Sequence, residues 1–415
     1  MQHRHLAVIV LALAGCGRLG FESHDVPPDG RPGDQADAAG PLAPLGGMCG
    51  NNQAACAPGL TCLASYCNCA RAIRSDEYQT CGLRVDGSVY CWGDNARGEL
   101  GNGQIGGSSL EPVAVLGLSG MSQLDLGAFH ACASAPDGAL YCWGQIDAEP
   151  VKPEPQPYPV PPVVEIAGGG FHACFRTQSR EVYCVGRNSA GQLGTGNGQP
   201  GSDTAEIVPG LTDVTALSAG GFHTCAIRSD GSLWCWGSDD HGQSSGNPSG
   251  QQGVPAPVAG LANLPGVAQV RAGDWHTCAL LTDGTVWCWG INDQGQTGDP
   301  AAMGDQPVQE VAGLAGIVAL YAGDDHNCAV DSEGAVFCWG ANSNGQLGLG
   351  DTVGPRPATR VSDLEPVVDM ALGRRHTCAL TRAGAMYCSG RNAQGEHGNG
   401  TSDSTASPQL NLFGC

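Results

Sequence analysis

Charge is scarce in this 415-residue chain. Asp, Glu, Lys and Arg make up 14% of it, against roughly 25% in ordinary soluble proteins. Basic residues are scarcer still, 19 against 40 acidic, for a formal charge of −21. Phosphate binding depends on clustered Lys and Arg, so this balance argues against nucleic acid as a partner. Aromatics amount to 6%. Catalytic signatures are missing too: the chain has no Gly-x-Ser-x-Gly elbow, no His-Glu-x-x-His and no phosphate loop. Two glycine patterns, Gly101-x-Gly103-x-x-Gly106 and Gly196-x-Gly198-x-x-Gly201, match the dinucleotide fingerprint on paper. Neither precedes an apolar-periodic helix, and a Gly-rich chain produces such matches by accident. The chain does not read as an enzyme, and no cofactor is expected.

What is present is Gly (65 residues), Pro (27) and Cys (21). At the start, Arg4 precedes an apolar run from Leu6 to Leu13, followed by Leu13-Ala14-Gly15-Cys16. The run is too short for a permanent bilayer span and suits the core of an export signal. Leu-Ala-Gly-Cys resembles the bacterial lipobox, in which the Cys is acylated and becomes the new N-terminus. The expectation is a signal peptide over 1–15 and lipidation at Cys16, with export to the bacterial cell envelope and a membrane attachment through the acyl anchor. Gly17, where an inner-membrane retention signal would have Asp, favours the outer membrane. Residues 16–47, rich in Gly, Pro, Asp and Ala, read as a disordered tether.

From residue 81 the chain repeats. Seven Cys pairs share one spacing: Cys81 with Cys91, Cys132 with Cys142, Cys174 with Cys184, Cys225 with Cys235, Cys278 with Cys288, Cys328 with Cys338, and Cys378 with Cys388. The steps between first Cys residues are 51, 42, 51, 53, 50 and 50, a period that signals a solenoid or propeller. The clearest copy, Gly273-Asp-Trp-His-Thr-Cys-Ala-Leu-Leu-Thr-Asp-Gly-Thr-Val-Trp-Cys-Trp-Gly290, is two alternating strands around an Asp-Gly turn, a hairpin signal. A three-residue loop over Thr282–Gly284 pairs Leu281 with Thr285 and sets Cys278 opposite Cys288, within disulfide reach. Structural zinc uses pairs two to four residues apart, so disulfides are expected and metal is not. Each disulfide is expected to stabilise by closing its own short loop. Gly holds the turn in six copies; Arg180 replaces it in the third, where the turn is expected to differ.

A second phrase follows each hairpin, fullest as Trp339-Gly-Ala-Asn-Ser-Asn-Gly-Gln-Leu-Gly-Leu-Gly350. Together with Gly-x-x-His before the first strand, it resembles the regulator of chromosome condensation repeat, over residues 70 to 414. The resemblance implies an all-β, seven-bladed β-propeller over 70–415. Repeat two departs from it: after Trp143-Gly144 the Asn-x-x-Gly-Gln phrase is missing and Pro-rich residues 149–162 follow. Repeat one has Gln79 where six repeats have His. Segments Ala70–Ser75 and Pro408–Phe413 are expected to complete one shared blade. Outside the hairpins, Cys49, Cys56, Cys62, Cys67, Cys69 and Cys415 remain. Residues 48–69 then form a small Cys-rich module similar to short epidermal-growth-factor-like pieces. Five Cys cannot all pair, so Cys415 is expected to bond one of them. Which one is open.

The six repeat histidines, His130, His172, His223, His276, His326 and His376, are expected to be neutral and bonded to blade backbone. Asp239-Asp240 and Asp324-Asp325 read as solvated acidic loops. The residue before each His (or Gln79) is more informative: Tyr78, Phe129, Phe171, Phe222, Trp275, Asp325 and Arg375. Rotation between repeats puts these seven around one end of the propeller, as a candidate protein-binding face. A secreted β-lactamase-inhibiting protein of the same repeat is similar in clamping its target with exposed aromatics. The expected role is a scaffold or binding module, a monomer in itself, for an envelope or extracellular protein. The alternatives are a structural or glycan-contacting surface protein and, by family resemblance alone, guanine-nucleotide exchange on a small GTPase.

Overall fold

A computed structural model describes residues 62–63, 66–67, 70–146, 150–362, 364–411 and 413. The signal peptide, Cys16, the tether, Cys49, Cys56, Cys69 and Cys415 lie outside the described residues. So do the side chains of Cys62 and Cys67, whose backbones pair as two short antiparallel strands. From Ala70 the chain forms seven four-stranded antiparallel sheets, each made of consecutive strands. Blade 5 shows the pattern: Val267–Ala272, His276–Leu281, Val286–Ile291 and Asp305–Glu310. No described residue lies in an α-helix; Ala259–Leu261 is a single 3-10 turn.

The middle two strands of each blade are buried on both faces, which is why they read as near-continuous apolar text. In all seven blades the two hairpin Cys residues oppose each other and are bonded: Cys81 to Cys91, Cys132 to Cys142, Cys174 to Cys184, Cys225 to Cys235, Cys278 to Cys288, Cys328 to Cys338, and Cys378 to Cys388. Their Cα atoms are 4.1 Å apart in every case. That spacing belongs to the close, non-hydrogen-bonded pair of an antiparallel ladder. The Arg180 turn does not differ from the others, contrary to expectation. Arg180 takes the left-handed conformation itself, φ 65°, and its N–H reaches Thr177 O at 2.9 Å, as Gly284 reaches Leu281 O at 3.0 Å. The ladder on either side fixes the turn, and the side chain carries the strain.

Blades pack face to face, and here the disulfides have a second role that the loop-closing expectation did not include. Cys91 of blade 1 lies among Leu124, Leu126 and Ala131 of blade 2. Cys142 of blade 2 lies among Val163, Ile166 and Ala173 of blade 3, and Cys184 of blade 3 among Val214, Leu217 and Trp236 of blade 4. Cys225 and Cys235 of blade 4 meet Val267, Val270, Ala279 and Trp289 of blade 5. Each sulfur pair is thus core for the following blade as well as a restraint on its own hairpin. Cys378 and Cys388 of blade 7 lie in the same way among Ala70, Ile73 and Trp92 of blade 1.

The circle therefore closes by side chains, which corrects the expected shared blade. Thr405–Leu410 pairs with Met386–Gly390 in blade 7, while Ala70–Asp76 pairs with Gln79–Arg84 in blade 1. Each terminal hairpin already has its own outer strand. Closure has one special part. Phe413 stacks near Trp92 at 5.2 Å, against Gly82, where a Cβ would overlap its ring. The corresponding residue in the other six blades is Ala or Phe, so Gly82 is the socket for the C-terminal wedge.

The Trp-Gly-x-Asn-x-x-Gly-Gln phrase works between blades. The Asn side chain closes its own loop: Asn292 Oδ1 accepts from Thr297 N at 2.7 Å. The Gln side chain accepts from the backbone two residues earlier, as Gln296 does from Gln294 N at 2.8 Å. That acceptor role explains why Glu99 and Glu396 substitute for Gln. The Gln (or Glu) carbonyl then receives the indole N–H of the next blade: Trp143 to Glu99, Trp236 to Gln192, Trp289 to Gln243, Trp339 to Gln296, and Trp92 to Glu396 across the closure, at 2.7–3.0 Å.

Candidate binding face

The Gly-x-x-His turns of neighbouring blades meet, as where Gly170 N donates to Gly220 O at 3.2 Å and Gly221 N to Gly273 O at 3.3 Å. In each, the Gly Cα lies against the imidazole, so that a Cβ at Gly273 would be 2.2 Å from His276 Cε1. The imidazole does not bond its own blade's backbone, which corrects the sequence expectation. His172, His223, His326 and His376 Nε2 meet Thr224, Thr277, Thr377 and Thr80 of the next blade at 2.7–2.9 Å, and His276 meets Asn327 Oδ1 at 2.9 Å. Thr224 in turn donates to Gln192 O at 3.0 Å, which leaves it an acceptor for the imidazole N–H and assigns the proton to Nε2. Burial pushes these groups down, His130 to about 4 and His172, His223 and His326 to about 3, so they are neutral at pH 7. The His130 ring nitrogens have no partner among the described residues. In blade 1, Gly and His are both absent: Asp76 takes the Gly position, and Gln79 Nε2 reaches Gly127 O of blade 2 at 2.9 Å. Among the described residues, no group of three or more His, Cys, Asp or Glu is arranged to hold a metal ion.

The residues before the histidines do share one end, but they divide. Phe129, Phe171, Phe222 and Trp275 form one unbroken stack across blades 2 to 5, with centroids 5.3, 6.0 and 4.8 Å apart. His241 meets the Trp275 ring edge-on at 5.5 Å. All four aromatics are half-buried. They pack on each other, neither in separate loops nor as free anchors. Tyr78 is outside this stack, with the Arg391 guanidinium 4.4 Å from its centroid. Asp325 takes a hydrogen bond from Gln296 at 3.4 Å, and Arg375 is exposed.

Sequence reasoning missed the position one residue earlier, which the same rotation argument would have found. Glu77, Asp274, Asp324 and Arg374 occupy it in blades 1, 5, 6 and 7. Arg374 bridges Glu77 at 3.0 Å and Asp324 at 3.8 Å. Burial, then the carboxylates of Asp325 and Glu77, push Asp274 up to about 6. Burial, then Asp76 and Glu77, push Asp324 well above its usual range. So Asp324 is not a solvated loop residue. Nor is Asp239: fully buried at the Asn position of its repeat, it accepts from Ser244 N and Ser245 N, both at 2.9 Å. On the first strands of their blades, Arg74 links Asp125 and Asp369 of the two flanking blades.

Residues 148–414 match the RCC1-like domain, and residues 86–134 match the regulator of chromosome condensation (RCC1) repeat. The chain is 30% identical over 256 residues to a human protein named probable E3 ubiquitin-protein ligase HERC6, covering 56% of this chain and 25% of that protein. It is 29% identical over 240 residues to the Arabidopsis thaliana RCC1 domain-containing protein RUG3, mitochondrial, covering 52% of this chain and 53% of that one. The chain thus spans about a quarter of the first relative and about half of the second. Among solved structures, Saccharomyces cerevisiae Prp20p, described with its binding to Gsp1p and histones, superposes with a TM-score of 0.65 at 20% identity, over 74% of this chain and 81% of that one. Human WBSCR16 gives 0.65 at 21% identity, over 75% and 87%.

Proposed function

The chain belongs to the RCC1-like domain family, and from that premise we propose that it is a lipid-anchored protein-binding module of the bacterial cell envelope, with no catalytic role of its own. The observation that carries the reading is the continuous half-exposed stack from Phe129 to Trp275. Four aromatics fused across four blades give a large, rigid apolar contact at little entropic cost, the composition of an interface hot spot. Propellers of this shape bind proteins: the yeast neighbour is described with Gsp1p and histones, and the same yeast protein has been solved bound by Kap60. The aligned region is only the propeller part of the ligase relative, so ligase activity is not carried across. Seven disulfides support an oxidising compartment. The Leu13-Ala14-Gly15-Cys16 sequence supports acylation of Cys16 and an outer-membrane address.

The test is capture of envelope and medium proteins on the oxidised chain, beside a Phe171→Ala/Phe222→Ala form. A partner held by the first and lost from the second is expected, with the melting temperature lowered by less than about 3 °C. An equal catch from both forms would remove the aromatic face as the site. Incorporation of labelled fatty acid, abolished by Cys16→Ser, checks the anchor.

A further inference from the structure

The aromatic end has two chemically different sectors. On one side the chain supplies its own cations: the guanidinium groups of Arg97, Arg187 and Arg391 lie 3.9, 4.0 and 4.4 Å from the centroids of Phe129, Phe171 and Tyr78. Phe222 and Trp275, the closest pair in the stack, have no guanidinium over them among the described residues. Their surroundings are negative instead. Asp274 directly precedes Trp275 in the chain. That carboxyl leans onto blade 4 beside Phe222, close enough that a Cβ at Gly221 would fall 1.8 Å from Asp274 Oδ1. Asp274 N donates to Asp324 O at 3.3 Å, which brings the blade 6 acids alongside. Arg374 is already engaged by Glu77 and Asp324, and no salt bridge reaches Asp274 or Asp325 among the described residues.

We propose that this sector receives an arginine side chain from the protein partner, its guanidinium stacked on the Phe222–Trp275 pair and hydrogen-bonded to Asp274, with Asp324 and Asp325 alongside. The inference rests on the reading that this end binds protein, and it names what that protein presents. Three of the five aromatics at this end already hold a guanidinium, so the surface repeats this chemistry wherever a cation is at hand. Arginine fits better than lysine because its plane stacks and its fork pairs with a carboxylate at the same time, with a weaker hydration shell to lose. Burial and the crowding of like charges together raise Asp274 to about 6. A cation relieves that crowding. Residues flanking the partner's arginine would be apolar, to cover Phe171 and Phe129.

The probe is an acetylated, amidated Leu-Arg-Leu peptide beside its citrulline counterpart, which has the same shape without the charge. Each is titrated into the full oxidised chain while the Trp275 indole N–H signal is followed, assigned with Trp275→Phe. A saturable shift with the arginine peptide is expected, weakened about tenfold by citrulline or by Asp274→Asn, and weakened by salt. Equal binding of the two peptides, or no shift up to about 10 mM, a concentration covering contacts of only a few kcal/mol, overturns the assignment. Asp325→Asn is the second variant if Asp274→Asn melts early. In partner capture, loss with Phe171→Ala/Phe222→Ala but indifference to Asp274→Asn and Asp325→Asn would overturn the arginine while leaving the protein-binding reading intact. Capture lost by neither set would remove that reading itself.

Discussion

The junction between blades 4 and 5 and the junction between blades 2 and 3 solve the same packing problem differently. In the first, Gln243 O receives both Trp289 Nε1 and Thr277 Oγ1, at 2.9 and 2.8 Å, and Thr277 Oγ1 also meets His223 at 2.8 Å. In the second, all of these are gone together. The blade 2 connection lacks the Gln phrase, Val185 stands for Trp, Ala173 for Thr, Ile146 for Asn, and the His130 ring nitrogens have no partner among the described residues. Ile146, Tyr158 and Phe175 fill the space. The repeat motifs are therefore halves of pairs held on neighbouring blades. Once the loop carbonyl is lost, a buried indole N–H would be unpaired at about 1–3 kcal/mol, so an aliphatic side chain is the better occupant. The junction between blades 6 and 7 shows a partial case: the Gln346 phrase is present but Ser389 replaces Trp, and a small cavity remains among Leu347, Val361, Met370 and Pro408.

The comparison breaks most visibly at the indole. Trp289→Ala is expected to cost about 4 kcal/mol, from lost volume and an orphaned carbonyl, and Val185→Ala about half that. Urea midpoints of the oxidised proteins measure both, and equal losses would deny the indole bond its role. Replacing one hairpin disulfide by two alanines is expected to cost roughly 2–3 kcal/mol for the lost restraint, and more for the sulfur packing lost against the following blade, by similar amounts for Cys278 with Cys288 and for Cys132 with Cys142. A markedly larger loss at blade 2 would show that the irregular junction leans on its disulfide more than the regular one does.

Acid sharpens the contrast further. The folded-state values of His223, about 3, and His130, about 4, lie below the ordinary value of 6.5. Such a base contributes stability above pH 6.5 and loses it as pH falls, by about 1.4 kcal/mol per unit for each group until its folded value is reached. His223→Gln and His130→Gln, which copy the natural Gln79, should each flatten the fall between pH 6 and 4 by that slope in pH-dependent urea unfolding. If only His223→Gln does so, His130 is already solvated. Asp274 acts in the opposite sense. Its raised value favours the folded state as pH falls from about 6 toward the ordinary carboxylate value, so Asp274→Asn should stabilise slightly at pH 7 and lose that advantage in acid.

Much of this was legible in the text of the chain. The seven hairpins, their register and the opposed Cys residues follow from local turn geometry, and the Phe129–Trp275 column follows from counting one residue back from each His. The acidic column of Glu77, Asp274 and Asp324 stood one residue further and was readable by the same count. The histidine partners were not, because Thr277 lies in the repeat after His223 and only blade packing joins them. The apolar neighbours of Cys91, Cys142 and Cys184 were hidden for the same reason.

Sequence alone determined the unit: a strand, a disulfide-closed hairpin and an outer strand, since a three-residue turn and a period of two fix each position relative to its neighbours. Tertiary structure decided how the units meet. Closure through Phe413 in the Gly82 socket, the stitching of Trp and His to the following blade, and the fusion of four aromatics beside a carboxylate sector all join residues far apart in the chain. Their contacts are set by the rotation between blades, a quantity no local pattern encodes.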